Sequence, residues 1–164
     1  MIYRIKQFLY AITAKMSAED ISYVKCYLNE KEQKLFFKLR VYEQAHCLKV
    51  AQNMVVQNKV LNVEDKSEMI RIGLLHDIGK IKYPLNPIEK SMIVILNKLT
   101  KGRIKKFSKL KMVKCYYEHA QIGYELLCAI GEYNSTFLQA IKEHHNPEFK
   151  SQKIELLKKC DDAA

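Results

Sequence analysis

Seven side chains constrain this chain more than any other feature. His46, His76, Asp77, His119, His144, His145 and Asp161 all fall on stretches with helical periodicity, where each continues an apolar stripe or directly follows one. Leu35, Leu39, Tyr42, His46 and Val50 recur at spacings of three or four, as do Met112, Cys115, His119, Ile122 and Leu126. Phe137, Ile141 and His144 repeat the pattern with Leu138 and His145 beside them. Ile154 and Leu157 lead to Asp161, and Met69, Ile72 and Leu75 run into His76-Asp77. Side chains at these spacings share one helix face, so each imidazole and carboxylate points toward its own helix's core. A buried imidazole or carboxylate with no partner is costly unless it changes protonation state. A divalent ion held in common would satisfy them together, because imidazole and carboxylate are the ligand set of Zn, Fe, Mn and similar metals. Asp162 lies about 100° round the helix from Asp161 and is expected to face solvent.

Helices come readily from the pattern and strands do not, which predicts an all-α bundle with the metal between helices. Only five Gly and three Pro interrupt the chain, and apolar residues make up 48% of it. The predicted elements are a first helix over Met1–Met16 and a second from Ser17 that fades near Asn29. A long helix from about Lys31 to Gln57 carries His46. The next begins at Asn62, carries His76 and Asp77 and ends near Gly79. Asn86-Pro87-Ile88-Glu89 reads as an N-cap, a proline at the first helical position and an acid at the third, opening a helix to about Leu99. Three more are predicted at about Ser108–Ile130, Ser135–His145 and Gln152–Asp162. With 164 residues and no credible linker, the chain reads as one domain, 1–164, with 1–30 a helical extension and 31–164 the metal-binding core.

The absence of an apolar run long enough to span a bilayer, or of a cleavable leader, suggests a cytoplasmic protein. Cys26, Cys47, Cys115, Cys128 and Cys160 are odd in number and contain no C-x-x-C, so they read as reduced thiols. The net charge of +10 is concentrated: no acid lies between Glu89 and Glu118, while Lys98 to Lys114 is densely basic. Such a segment reads first as a solvated basic face, and it can also attract phosphates, nucleic acid or an anionic surface. Nucleic acid is the less favoured partner, since no aromatic-interleaved RNA-binding motif accompanies it.

The string Leu74-Leu75-His76-Asp77-Ile78-Gly79-Lys80 has a histidine about thirty residues before it and an aspartate in the closing helix. In this it resembles the HD superfamily of metal-dependent phosphohydrolases, in its HDIG form, from roughly Phe36 to the C-terminus. His119 to Leu127 and Glu143-His144-His145 look like the segments that supply a second metal in the HD-GYP branch. The resemblance implies that His46, His76, Asp77 and Asp161 hold one divalent ion and that His119, His144 and His145 hold a second, with Asp77 bridging. It implies a catalytic role for Asp77 and for Lys80, placed near substrate phosphate. After His145 the chain reads Asn-Pro-Glu-Phe-Lys with no Gly-Tyr-Pro, which speaks against a cyclic di-GMP phosphodiesterase of the HD-GYP type. The activity implied is hydrolysis of a phosphomonoester or phosphodiester, in a nucleotide, by metal-activated water. Two other readings stay open: a non-catalytic, metal-stabilised nucleotide-binding or regulatory module, and a diiron oxygenase.

Overall fold

The computed structural model describes residues 13–58, 63–131 and 133–164. Among them are eight α-helices, two short 3-10 segments and no strand. The helices are α1 (Ala18–Tyr27), α2 (Glu30–Phe36), α3 (Val41–Gln57), α4 (Val63–Leu75), α5 (Pro87–Leu99), α6 (Lys111–Ile130), α7 (Ser135–Glu143) and α8 (Gln152–Ala163). The 3-10 segments are Ile78–Ile81 and Arg103–Lys106. The all-α expectation holds, and none of the described helices is long and apolar enough to cross a membrane. Of the helix predicted over Met1–Met16, residues 1–12 lie outside the described ones, while Ala14–Met16 are non-helical. The N-cap predicted at Asn62 also lies outside them.

Local chemistry sets most boundaries. Ser17, Asn29 and Asn86 each accept from the backbone N–H three residues on, and the acids there, Asp20, Glu32 and Glu89, reach back to the cap N–H. These reciprocal pairs satisfy amide groups that the first helical turn leaves without partners. Asn134 and Ser151 cap α7 and α8 in the simpler one-bond form.

Three predicted helices are wrong in their extent. The helix expected from Lys31 to Gln57 is two, α2 and α3, parted by a turn at 37–40. No Gly or Pro marks the break. Phe36 and Leu39 are both buried there, and the Gln44 side-chain amide donates to the Leu39 carbonyl at 2.8 Å. Burial of both side chains and that bond compensate for the interrupted helix ladder. The helix expected to carry His76 and Asp77 stops at Leu75, so both lie in the turn beyond it, before the Ile78–Ile81 segment. Likewise α6 starts at Lys111 rather than Ser108, after a 3-10 turn.

The main core joins α1, α2, α3, α4, α7 and α8 through Val24, Phe36, Met54, Ile72, Phe137 and Leu157, all fully or nearly fully buried. A smaller cluster of Leu85, Ile93, Ile104, Val113 and Cys115 packs α5 and the second 3-10 segment onto the start of α6. Two glycines set the helix spacings. A Cβ on Gly73 would lie 2.6 Å from the Ala51 Cα, so α4 crosses α3 at backbone contact. A Cβ on Gly79 would lie 1.9 Å from the His119 carbonyl oxygen and 2.6 Å from the Gly123 nitrogen, so the Ile78–Ile81 segment rests directly on α6. Only a residue without a side chain permits that approach. Gly79→Ala must force the segment from α6, and urea unfolding should show a loss of about 1–3 kcal/mol, the range for overpacking a tight contact. An unchanged midpoint would refute the close-contact role.

Candidate metal centre

All seven sequence-predicted residues converge in one place. His46 comes from α3, His76 and Asp77 from the turn after α4, His119 from α6, His144 and His145 from the end of α7, and Asp161 from the last turn of α8. His76, Asp77, His119 and His144 are buried, His46 and Asp161 partly so, and His145 stands at the exposed rim. Asp162 is exposed, as its position round the helix requires.

Asp77 stands at the centre, and its two oxygens face different neighbours. Oδ2 lies 3.4 Å from His76 Nε2 and 3.8 Å from His46 Nε2. Oδ1 lies 3.2 Å from His119 Nε2 and 3.8 Å from His144 Nε2. Asp161 Oδ1 meets His46 Nε2 at 2.8 Å and approaches His76 Nε2 at 3.7 Å. His145 Nε2 is 3.0 Å from His119 Nε2. Three overlapping groups result among the described residues: Asp77 with His119, His144 and His145; His46 with His76 and Asp161; and Cys47 with His76 and Asp77. Within each group, one ligand atom per residue lies within 4.8 Å of the others.

The backbone fixes which ring nitrogen is available. His76 Nδ1 donates to the Gly73 carbonyl at 2.8 Å, His119 Nδ1 to Cys115 at 2.6 Å and His144 Nδ1 to Ile141 at 2.6 Å. Each bond uses a carbonyl three or four residues back, in the helix that carries or immediately precedes the histidine. The acceptors for His76 and His144 are in the final turns of α4 and α7, where carbonyls lack an amide partner. With Nδ1 carrying hydrogen, Nε2 of a neutral ring presents a lone pair. His76 Nε2, His144 Nε2 and Asp77 Oδ1 are buried and have no hydrogen-bond partner. Each such orphan costs about 1–3 kcal/mol. His144, which burial keeps neutral, turns its Nε2 lone pair toward Asp77 Oδ1, an arrangement that a cation completes, and the negative ends of α4 and α7 add to the attraction. The donor set therefore fits divalent metal.

The charges around the site respond to one another. Burial opposes ionisation of Asp77, yet Lys80 and His76 hold its carboxyl well below the usual range. Burial likewise opposes charge on His76, but Asp77 prevails and raises its pKa. Burial opposes charge on Asp161 too, but the hydrogen bond from His46 and the neighbouring His76 imidazole hold its carboxyl well below the usual range. Burial lowers His46, lowers His144 strongly and, together with His119, brings His145 down to about 4.

Lys80 contacts Asp77 Oδ2 directly and lies 3.4 Å from Glu43 Oε2. Glu43 is buried, and Lys90 meets both its oxygens at 3.0 Å. Burial is overcome at Glu43 by Lys80 and Lys90, which bring it down to about 2. The sequence reading missed Glu43 and Lys90. Glu43 lies three residues before His46, on nearly the same face of α3, and that spacing was its available signal; Lys90 carries none. The cations on the site's carboxylates are thus Lys80 and Lys90. In the segment 98–114, Lys105 lies over the Tyr117 ring and Lys114 over the Tyr83 ring instead.

The described residues form helices with a buried histidine–aspartate cluster between them, the arrangement of a metal-binding helical domain. The HD domain family model matches residues 44–163, and the chain belongs to that family. No curated protein and no solved structure matches it at a significant level. Members of the HD family are typically metal-dependent phosphohydrolases, and this chain is an enzyme of that superfamily.

Metal-free protein should lose stability as pH falls from about 6.5 toward 4. In that interval the unfolded chain takes up protons at His46, His144 and His145 that the folded chain resists. His76 works weakly the other way at the top of the interval, because its raised pKa keeps it protonated in the folded chain while the unfolded chain is still taking up that proton near pH 6.5. Urea midpoints for chelated protein at successive pH values check this, and a flat profile across the interval would contradict it.

Proposed function

We propose that this protein hydrolyses a phosphomonoester or phosphodiester bond, in a nucleotide, at a two-ion centre. His46, His76, Asp77 and Asp161 hold one divalent ion, and His119, His144 and His145 hold the other with Asp77 bridging. The observation that carries the reading is the division of the Asp77 carboxylate, one oxygen toward His46 and His76 and the other toward His119 and His144. The whole chain acts as a single HD-type unit, with 1–30 an extension.

Divalent ions in such a site would acidify a bound water toward about pKa 7 and neutralise phosphate charge. The chain's own residues supply the rest. Backbone carbonyls fix the imidazoles of His76, His119 and His144 with Nε2 inward, so no reorientation accompanies binding. Lys80, held charged by Asp77 and Glu43, offers an ammonium that stabilises negative charge on phosphate oxygens. Glu43 is the positioning residue, set between Lys80 and Lys90.

Purified protein should carry more than one transition-metal ion per chain. Asp77→Ala should lose both ions and His144→Ala mainly the second, by elemental analysis. Protein purified without chelator and found metal-free would sink the reading. Because the ions bind only the folded chain, EDTA should lower the melting temperature clearly and Mn or Fe restore it.

A screen of nucleoside monophosphates, nucleoside triphosphates and cyclic dinucleotides with added Mn, Fe or Mg should reveal phosphate-ester hydrolysis. Lys80→Met should then lower kcat about 10²–10³-fold, the range for losing one charge-stabilising donor. Tight nucleotide binding without turnover would favour a regulatory module instead, and oxygen consumption with iron would favour an oxygenase.

A further inference from the structure

Helix α5 is amphipathic twice over. Its inner face buries Ile93 against Ile104 and Val113, while its outer face carries Ile88, Met92, Ile95 and Leu99. These four are spaced four, three and four residues apart and form one stripe along the helix. They are 65%, 41%, 57% and 74% exposed, and a shallow groove runs between Ile88, Met92 and Ile95. Phe107 and Leu110, after the 3-10 turn that follows α5, are also exposed. Isolated exposed aliphatic residues are ordinary, but a helix-long stripe is the mark of an interaction surface.

The chain that follows the stripe indicates the occupant. Lys98, Lys101, Arg103, Lys105, Lys106 and Lys109 are all exposed, and no acid interrupts the chain between Glu89 and Glu118. Lys90 stands apart from this set, being engaged with Glu43. We propose that the outer face of α5, with the basic segment that follows it, is a docking surface for an anionic phospholipid bilayer. The aliphatic stripe enters the headgroup–acyl boundary, and the lysines meet lipid phosphates.

A second copy of the chain would bring two like-charged segments together across a seam only about 20 Å long, the length of a thirteen-residue helix. Nucleic acid would leave the stripe unexplained, because it is aliphatic and lacks the aromatic platforms on which bases stack.

The test is co-sedimentation of the full chain with phosphatidylcholine vesicles, with and without phosphatidylglycerol. Binding should require phosphatidylglycerol and weaken with added salt. The double variants Ile95→Ser/Leu99→Ser and Lys106→Glu/Lys109→Glu should each reduce partitioning by about tenfold or more. Both pairs are exposed, so circular dichroism and melting should match the unmodified chain. No binding to phosphatidylglycerol vesicles would overturn the proposal, as would binding that the serine pair leaves intact. A dimer in sedimentation velocity that Ile95→Ser dissociates would assign the stripe to a second copy. Binding of polyuridylate that exceeds vesicle binding and ignores the serine pair would assign the cations to nucleic acid.

Discussion

The buried carboxylate of Asp77 is the constraint on which the rest of the site depends. An ionised carboxyl removed from water must be compensated at both oxygens. Here Oδ2 has Lys80 at hand, while Oδ1 has no hydrogen-bond donor and faces two imidazoles. Residues from every helix that supplies a ligand stand round this group. The histidines cannot resolve the imbalance as neutral rings, because their Nδ1 hydrogens are already given to backbone carbonyls. The same bonds that hold the rings still leave the centre short of positive charge.

That geometry requires backbones to approach closely. Gly73 lets α4 lie on α3 at Ala51, which brings the turn after α4 near His46. Gly79 lets the next segment touch α6 between His119 and Gly123, which brings Asp77 within 3.2 Å of His119. The glycine of the His-Asp-Ile-Gly string is therefore a spacer between the two histidine sets. Its contribution to chemistry is made through the distances it sets.

A second polar network has a different purpose. Arg71 and Tyr133 both contact Glu32 Oε1, at 2.6 and 3.1 Å, while Glu32 Oε2 accepts the Asn29 N–H. The Arg71 guanidinium also lies 5.2 Å from the centroid of the Phe137 ring. Glu32 is as deeply buried as His76, yet its carboxylate is met on both oxygens by the protein itself. Comparison of the two buried carboxylates separates a structural tie from a ligand site. Burial is common to both, and the orphaned oxygen belongs to Asp77 alone.

The sequence by itself determined the helical class and the stripes that carry His46, His119, His144, His145 and Asp161. Helical periodicity is a local property, and the seven site residues were legible because each followed such a pattern or the His-Asp-Ile-Gly string. The N-caps at Ser17 and Asn86 were legible for the same reason, since the groups involved lie within three residues of one another. Tertiary structure decided where the chain leaves the helix at Phe37 and at His76, because burial and contacts with distant elements offset the lost ladder bonds there. It also decided that Glu43 pairs with Lys80 and Lys90, residues 37 and 47 positions away. No local pattern encodes such a pairing: it follows from the packing of α3 against the segments after α4, and electrostatic partners are fixed only once that packing exists.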